Sequence, residues 1–462
     1  MRDVPAPTVV ILAAGEGTRM RSALPKVLHP LCGRPLIAWP VAAAREAGAG
    51  TIVVVDNPRR RLAPHLPEGV LTAIQQEPKG TGDAVAAARE HLAPGRTVVV
   101  INGDVPLLTA AALQGLVEAH EAAGAAATMA TMEPEDPSGY GRVIRAADGS
   151  VARVAETKVA GDATDEELAI REVNTGVYAF EGGALLAALD TLGTDNAQGE
   201  VYLPDVLPAV RAAGGHVAAH PITDPALTHG VDDRVDLAYA QGRMQARITE
   251  GHMREGVTFV DAASTVVDAG VEIGRDTVIE PSSFLRGSTR VGAGCVVGPL
   301  TTLIDTHLGD EVRVPHSYLH GARVEDGCSV GPFAYLRPDA HLHEGAKAGT
   351  FVEIKNSEIG AGTKVPHLSY IGDADIGEQT NVAAGNITAN YDGRRKHRTT
   401  IGARVRTSVD TMFVAPVTIG DDAYTAAGST ITDDIPARAL GIARARQTNI
   451  PDYADRVAER DS

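Results

Sequence analysis

From residue 273 to residue 420 an aliphatic residue followed by glycine recurs at near-regular intervals: Ile273-Gly274, Val291-Gly292, Leu308-Gly309, Val330-Gly331, Ile359-Gly360, Ile376-Gly377, Ile401-Gly402 and Ile419-Gly420. Ile273 to Val291 and Ile401 to Ile419 span 18 residues, and Ile359 to Ile376 spans 17. A period near three hexapeptides restricts the chain to a parallel β-helix, in which each coil stacks its aliphatic side chain on the coil before it and small residues turn the corners. The interval from Ile376 to Ile401 is 25 residues, so a loop containing Asn390 to Arg398 is expected to bulge from the stack. Such insertions usually line the binding face of a solenoid. A β-helix acting only as a trimerisation rod remains the other reading of the earlier coils.

The first 230 or so residues follow a different pattern. Apolar runs such as TIVVVD and TVVVINGD alternate with alanine-rich stretches such as AVAAAREHLA and AALQGLVEAHEAAG. This βα alternation implies a mainly parallel sheet with helices on both faces, and functional groups at the carboxyl ends of strands. Gly15 follows VVIL there, and Asp104 follows TVVVING. From Asp232 to Gly256 the chain turns polar and helical, as a connecting helix would. The reading is a domain over 1–231, a linker helix over 232–256, a β-helix over 257–447 and a tail over 448–462 that shows no repeat and is expected to be mobile. Two such parts also suit a chain of 462 residues, which is too long for one ordinary core.

The glycine turn LAAGEGTRMRSALPK brings Leu12, Ala13, Ala14 and Gly15 up to Arg19 and Lys26. It lacks the third glycine of a dinucleotide fingerprint, Met20 standing there, and the Gly-Lys-Ser/Thr of a Walker loop. An ordinary strand-to-helix turn would explain the glycines but not the spaced cations, which suit a departing pyrophosphate; the stretch looks like the nucleotide-binding loop of a sugar nucleotidyltransferase. The net charge of −17 argues against nucleic acid or anionic membrane as a main partner, so small anions need local basic pockets. Three isolated cysteines, Cys32, Cys295 and Cys328, read as buried thiols of a reducing compartment. With no leader pattern or membrane-length apolar run, a soluble cytoplasmic protein is expected.

Taken together, LAAGEGTRM, LPKVLHP, QQEPKGTGDA, NGDVPLL, PSGYGRVIR, REVNTGVY, NAQGEVYLPD, FAYLRPDAHL, FVEIKNSEIG, PHLSYIGDADIG, NYDG and MFVAPVTIG make the chain resemble the bifunctional N-acetylglucosamine-1-phosphate uridyltransferases and glucosamine-1-phosphate acetyltransferases of bacteria. The resemblance implies a Rossmann-like mixed-sheet nucleotidyltransferase followed by a left-handed β-helix. It implies acetylation of glucosamine-1-phosphate by acetyl-CoA, then UMP transfer from UTP to N-acetylglucosamine-1-phosphate, giving UDP-N-acetylglucosamine for cell-wall synthesis. Asp104 would hold Mg²⁺ with Asp232, where the family usually has asparagine. Arg19 and Lys26 would meet the phosphates, Gln75, Gly80 and Thr81 the uracil, and Gly141, Glu156 and Asn174 the sugar.

In the second half the resemblance makes His367 the base, with Glu353 orienting its imidazole. Arg337, Lys355, Tyr370, Asn381 and Lys396 would bind the sugar phosphate, and Asn390 and Tyr391 would close over the acceptor. Acetyl-CoA would lie along Ala384, Val409, Ala427 and Arg444. Ser408-Val409-Asp410-Thr411 stands where the family usually has Gly-Ser-Asp-Thr, so a familiar hydroxyl is missing at Val409. A homotrimer is implied, with sites shared between subunits. Rival readings are a monofunctional nucleotidyltransferase with a regulatory β-helix, a zinc site of the γ-carbonic anhydrase kind using His316, His320, His341 or His343, and a binding-only scaffold.

Overall fold

The structure is a computed structural model, describing residues 5–157, 163–193 and 199–460. Of the motif NAQGEVYLPD, Asn196 to Gln198 lie outside the described residues. The chain divides into two compact units, Met1–Met244 and Gln245–Ser462.

In the first unit, strands in the order Val217–Pro221, Ala127–Met132, Val173–Glu181, Thr97–Asn102, Thr8–Leu12, Thr51–Asp56 and Leu71–Ile74 form one sheet. Alternate residues of these strands face opposite ways, as the period of two requires. Val10, Val53, Val55, Val98 and Val100 pack with helices Thr81–Ala87, Gly182–Leu189 and Val206–Ala212. Val9, Ile11, Ile52, Val54, Val99 and Ile101 pack with helices Ala38–Glu46 and Ala110–Ala122. The sheet is mainly parallel and mixed, as a Rossmann-like mixed sheet would be: Val173–Glu181 runs antiparallel to both neighbours, and the other pairings along this order are parallel. An apolar run records burial, not direction, so its orientation is invisible in the sequence. The polar stretch expected to be helical forms the helix Arg234–Arg254. Among the described residues, no helix is long and apolar enough to cross a membrane.

The second unit is a left-handed β-helix whose every third strand joins the same sheet, giving three parallel sheets as the faces of a prism. Inside, Leu285, Leu303, Leu319, Leu336 and Ile354 form one aliphatic ladder, and Val291, Leu308, Val324, Leu342, Ile359 and Ile376 form another, all almost fully buried. Each such side chain contributes roughly 1.5–3 kcal/mol relative to exposure. One aliphatic-glycine pair is on a different face from the rest: Val330 belongs to the sheet of Ser329–Val330 and Lys347–Thr350, while the other pairs share the sheet of Glu358 and Asp375. Spacing alone does not disclose the face. The last residues include a short exposed helix, Tyr453–Ala458. All three cysteines are buried and outside any disulfide, and burial pushes Cys328 up to about 11.

Candidate functional site

Three parallel strands end together in the first unit. The Ala13 amide donates to Val55 O at 3.0 Å and the Gly103 amide to Leu12 O at 2.8 Å, which sets Gly15 and Asp104 side by side at their carboxyl ends. Leu12 is half-buried, Ala13 and Ala14 are buried, and Gly15 is exposed. A Cβ at Gly15 would meet nothing within 4 Å, so the fold does not need glycine there and the space is open to a ligand. At Gly17, with φ +62°, a Cβ would lie 2.4 Å from Lys26 Cβ, so this glycine lets the loop close on the lysine stem.

Lys26 Nζ lies 2.5 Å from Asp104 Oδ2 and 2.9 Å from Asp232 Oδ1. Arg19 Nη2 reaches the same Asp232 oxygen at 2.9 Å. Burial alone would depress the Lys26 ammonium, but Asp104 and Asp232 outweigh it and hold its pKa above the ordinary lysine value. The two carboxylates therefore converge on one cation, a hard oxygen donor set that fits a divalent metal. Sequence reasoning missed Asp236, whose Oδ2 accepts from the Asp232 and Asp233 amides at 3.0 and 3.2 Å and fixes the Asp232 backbone.

Gln75 is buried, and its Nε2 donates to Gly80 O at 3.0 Å and Asp83 Oδ2 at 2.9 Å. Both amide hydrogens serve the fold, which leaves the Gln75 carbonyl for recognition. Gly80 is needed structurally, since a Cβ would meet Val201 O at 2.5 Å, and Thr81 Oγ1 accepts from the Leu203 amide. Gly141, Glu156 and Asn174 come together: Gly141 O accepts from the Asn174 amide at 2.9 Å, and a Cβ at Gly141 would lie 3.7 Å from Glu156 Oε1. Tyr178, another residue not anticipated, donates its hydroxyl to Asn174 Oδ1 at 2.8 Å.

The β-helix carries two groups of candidate residues on different faces. On the first, Glu353 pairs in register with Tyr370, and Lys355 with Gly372. A Cβ at Gly372 would lie 2.4 Å from Tyr370 Oη, so the bare glycine leaves room for the phenol. Arg337 Nη1 donates to Glu353 Oε1 at 2.9 Å. Lys355 Nζ is 3.7 Å from Asp373 Oδ2, and Lys396 is pushed below the ordinary lysine value chiefly by the Lys355 ammonium beside it. Two adjacent ammonium groups form a ready anion site.

Asp373, which sequence reasoning passed over, is the hub. It accepts from Asn356 Nδ2 at 2.6 Å and from the side-chain Nδ2 of Asn390. Burial raises its pKa, but Asn356, Asn390, Lys355 and Lys396 outweigh this and leave the carboxyl below the usual range. The expected bulge over Asn390 to Arg398 is present at the corner between Ile387–Ala389 and Thr399–Ile401. Arg398 grips Asp375 with two nitrogens, while Tyr391 stays exposed. Asp392 is held down to about 2 by the Arg395 amide, His397 and the Arg394 amide.

His367 belongs to a different sheet, ending the strand Lys364–His367 just before the Leu368 corner. Successive coils meet there: the Gly385 amide donates to His367 O, the Asp410 amide to Ala384 O, and the Gly428 amide to Val409 O. His367, Ala384, Val409 and Ala427 thus form one outer ladder, with Arg444 Cδ 4.0 Å from a Cβ at Gly428. Buried Asn386, unforeseen from the sequence, clamps this corner by donating to Ala383 O, Ala384 O and Ser408 O. Among the described residues neither the Ser408 hydroxyl nor the His367 imidazole has a hydrogen-bond partner.

Two of the expected residues stand apart from their groups within the single chain. Glu353 does not orient His367 but pairs with Arg337, because the two strands lie on different faces. Asn381 does not join the cations either; it bridges Lys364 and Arg406, on the His367 side. Of the four histidines in the zinc reading, His316 packs at a tilt against Phe333, whereas His341 and His343 lie against each other.

A strand-end loop with converging carboxylates and cations, followed by a β-helix with an anion site and an outer histidine ladder, defines a two-part transferase, a nucleotidyltransferase joined to a β-helical acyltransferase. A MobA-like NTP transferase domain matches residues 9–197. The chain is 49% identical to the bifunctional protein GlmU of Mycolicibacterium vanbaalenii over 99% of this chain and 94% of that one. It is 49% identical to that of Streptomyces coelicolor, over 97% and 94%, and 47% identical to that of Brevibacillus brevis, over 98% of both. The chain belongs to the family of bifunctional GlmU proteins. It is a uridyltransferase and an acetyltransferase of UDP-N-acetylglucosamine synthesis.

Proposed function

We propose that the uridyl transfer is carried by Asp104, Asp232, Lys26 and Arg19, with the phosphate of N-acetylglucosamine-1-phosphate attacking the α-phosphate of UTP. The observation that carries this reading is the Lys26 ammonium between the two carboxylates. Mg²⁺ held by Asp104 and Asp232 would supply charge neutralisation at the triphosphate. Arg19 and Lys26 stabilise the charge on the departing pyrophosphate. Gln75, Gly80 and Thr81 receive the uracil, and Gly141, Glu156 and Asn174 hold the sugar. The open space at Gly15 lets backbone N–H groups approach phosphate.

In the β-helix, His367 takes a proton from the amine of glucosamine-1-phosphate as that amine attacks the acetyl thioester, and CoA leaves as the thiol. Acetyl-CoA runs along Ala384, Val409, Ala427 and Arg444, the ladder that includes His367. Arg337, Lys355, Lys396 and Tyr370 take the sugar phosphate, and Asn390 and Tyr391 cover the acceptor. One prism separates the histidine ladder from the phosphate cluster, and a homotrimer joins them by setting one face of each chain against the other face of its neighbour; Glu353 and Asn381 complete the site in that assembly. An exposed apolar corner, Leu300, Phe333, Phe351 and Leu368 on nearby coils, supports the interface. UTP and acetyl-CoA as substrates and three free thiols support a cytoplasmic enzyme.

Both rates measured on the same folded preparations test the assignment. Asp104→Ala loses uridyl transfer by about a hundredfold or more and keeps acetyl transfer. His367→Ala loses acetyl transfer by roughly a hundredfold to ten-thousandfold and keeps uridyl transfer. Normal uridyl transfer in the first variant, or normal acetyl transfer in the second, removes that residue from the mechanism.

A further inference from the structure

On the face of the β-helix that carries the aliphatic-glycine ladder, two coils depart from the repeat. Where neighbouring coils have Gly292, Gly309, Gly360 and Gly377, the chain has Val324-Glu325 and Leu342-His343. Glycine suits this position because a Cβ would strike the next coil, at 2.4 Å from Gly309 O for Gly292 and 2.6 Å from the Gly377 carbonyl carbon for Gly360. Two consecutive coils have given up that glycine, one for a carboxylate and the next for an imidazole. Regular stacking does not ask for either residue.

The register brings further ligand types to the same place. His341 pairs with Glu358 on the following coil, and His343, two residues on, points to the same side. The two imidazoles lie 4.0 Å apart, centroid to centroid. His341 Nε2 is 2.9 Å from Glu325 Oε1 and His343 Nδ1 is 3.5 Å from Glu325 Oε2. The opposite ring nitrogens, His341 Nδ1 and His343 Nε2, each lie 2.8 Å from Glu358 Oε2. In the metal-free chain the His341 Nε2 hydrogen bond goes to Glu325 and the His343 Nε2 hydrogen bond goes to Glu358. His343 Nδ1 is left with a lone pair facing Glu325, and a cation there takes the place of the His341 Nε2 proton, which moves to Nδ1, 2.8 Å from Glu358 Oε2. One ligand atom from each of Glu325, His341 and His343 lies within 4.8 Å of the others.

We propose that Glu325, His341 and His343 bind a borderline divalent cation, Zn²⁺ or an ion of similar chemistry, with Glu358 as the carboxylate that orients both histidines. Two neutral imidazoles and one carboxylate select such ions over Mg²⁺ or Ca²⁺, and three protein ligands leave a fourth position for water or another small ligand. None of these residues belongs to the clusters assigned above to uridyl or acetyl transfer. Because the four side chains come from three successive coils, the ion clips those coils together.

The test uses the full chain with excess Mg²⁺, so that the carboxylates of the nucleotidyltransferase unit are already engaged, and titrates Zn²⁺ by calorimetry. His343→Gly restores the glycine of the repeat and is the variant expected to fold; His341→Gln is read in the same way if it does not. The wild-type chain should take up one Zn²⁺ more than either variant, and its Co²⁺ adduct should show visible ligand-field bands that the variants lack. Glu358→Gln should weaken Zn²⁺ binding about 10- to 100-fold, the usual loss for an orienting carboxylate. Zn²⁺ should also raise the unfolding midpoint of the wild type and not of His343→Gly. Equal Zn²⁺ stoichiometry and affinity in wild type and variants would overturn the site and leave a cluster held by protons alone.

Discussion

Asp104 and Asp232 bring two negative charges to the strand ends, and Lys26 and Arg19 bring two positive ones. The aspartate at position 232 therefore leaves this group neutral, where an asparagine would leave it positive. Such a balance is local and readable, and most of it was visible in the sequence because each residue stood in a recognisable stretch. His120 is the opposite case: nothing around it in the sequence marks it out. It lies 4% exposed on the inner face of Ala110–Ala122, with Nδ1 2.9 Å from Thr128 Oγ1. Burial pushes its pKa down to about 4, against a small opposing pull from Glu181. The folded chain thus keeps His120 neutral while the unfolded chain takes up a proton near pH 6.5. The linked stability is full above that pH and falls as pH drops toward 4. Between pH 7.5 and 5.0 the loss from this group is about 2 kcal/mol. His120→Leu removes it, so its urea-unfolding free energy should fall less steeply over that interval. The single tryptophan, Trp39, lies in the same unit and gives a fluorescence signal for it. An unchanged slope would show that His120 does not control acid sensitivity.

Among the elements, the strands Lys347–Thr350 and Lys364–His367 show how tightly the coils set the position of His367, the proposed base. They pair in register, Thr350 opposite His367. A Cβ at Gly349 would stand 1.9 Å from Pro366 O, and that carbonyl is backbone with no flexible end to yield. Gly349→Ala must therefore push the His367 strand outward. The expected result is a destabilisation of about 1–3 kcal/mol and a loss of acetyl transfer of about a hundredfold, with uridyl transfer unchanged. Steady-state rates for both half-reactions, with a denaturant titration, check it; acetyl transfer at the wild-type rate would mean that the coil absorbs the methyl group. The same elements mark the limit of sequence reading. The repeat announced a β-helix, and the long interval after Ile376 announced the loop that carries Lys396. Which of three faces a strand joins depends on how many residues each corner takes up. That is why spacing groups Val330-Gly331 with pairs that lie on another face. Asp373 escaped notice because its role is to hold Asn390 and two lysines that are distant in sequence from one another.

For the whole molecule, the family, the two activities and the order of the two folds were legible, because many motifs occur in one order along the chain. The proposed assembly was not legible from spacing, and what supports it in the single chain is that His367 and Ala384 stand on one corner while Lys355 and Tyr370 stand on another face. On the proposed assignment each chain holds half of an acetyltransferase site. The proposed closed trimer would make whole sites only between neighbours, His367 from one chain and Lys355 from the next. Lys355→Ala and His367→Ala preparations should each be nearly inactive in acetyl transfer. When they are dissociated, mixed in equal amounts and reassembled, a site is whole where a Lys355→Ala chain supplies the histidine and a His367→Ala chain supplies the lysine. Random assortment makes this about a quarter of all sites, so about a quarter of wild-type acetyl transfer should return. Uridyl transfer, measured on the same mixture, should stay at the wild-type level throughout and report that the chains remain folded. Sedimentation should give the mass of three chains. If acetyl transfer does not return in a mixture that sediments as a trimer with full uridyl transfer, both residues act within one chain and the shared site is wrong.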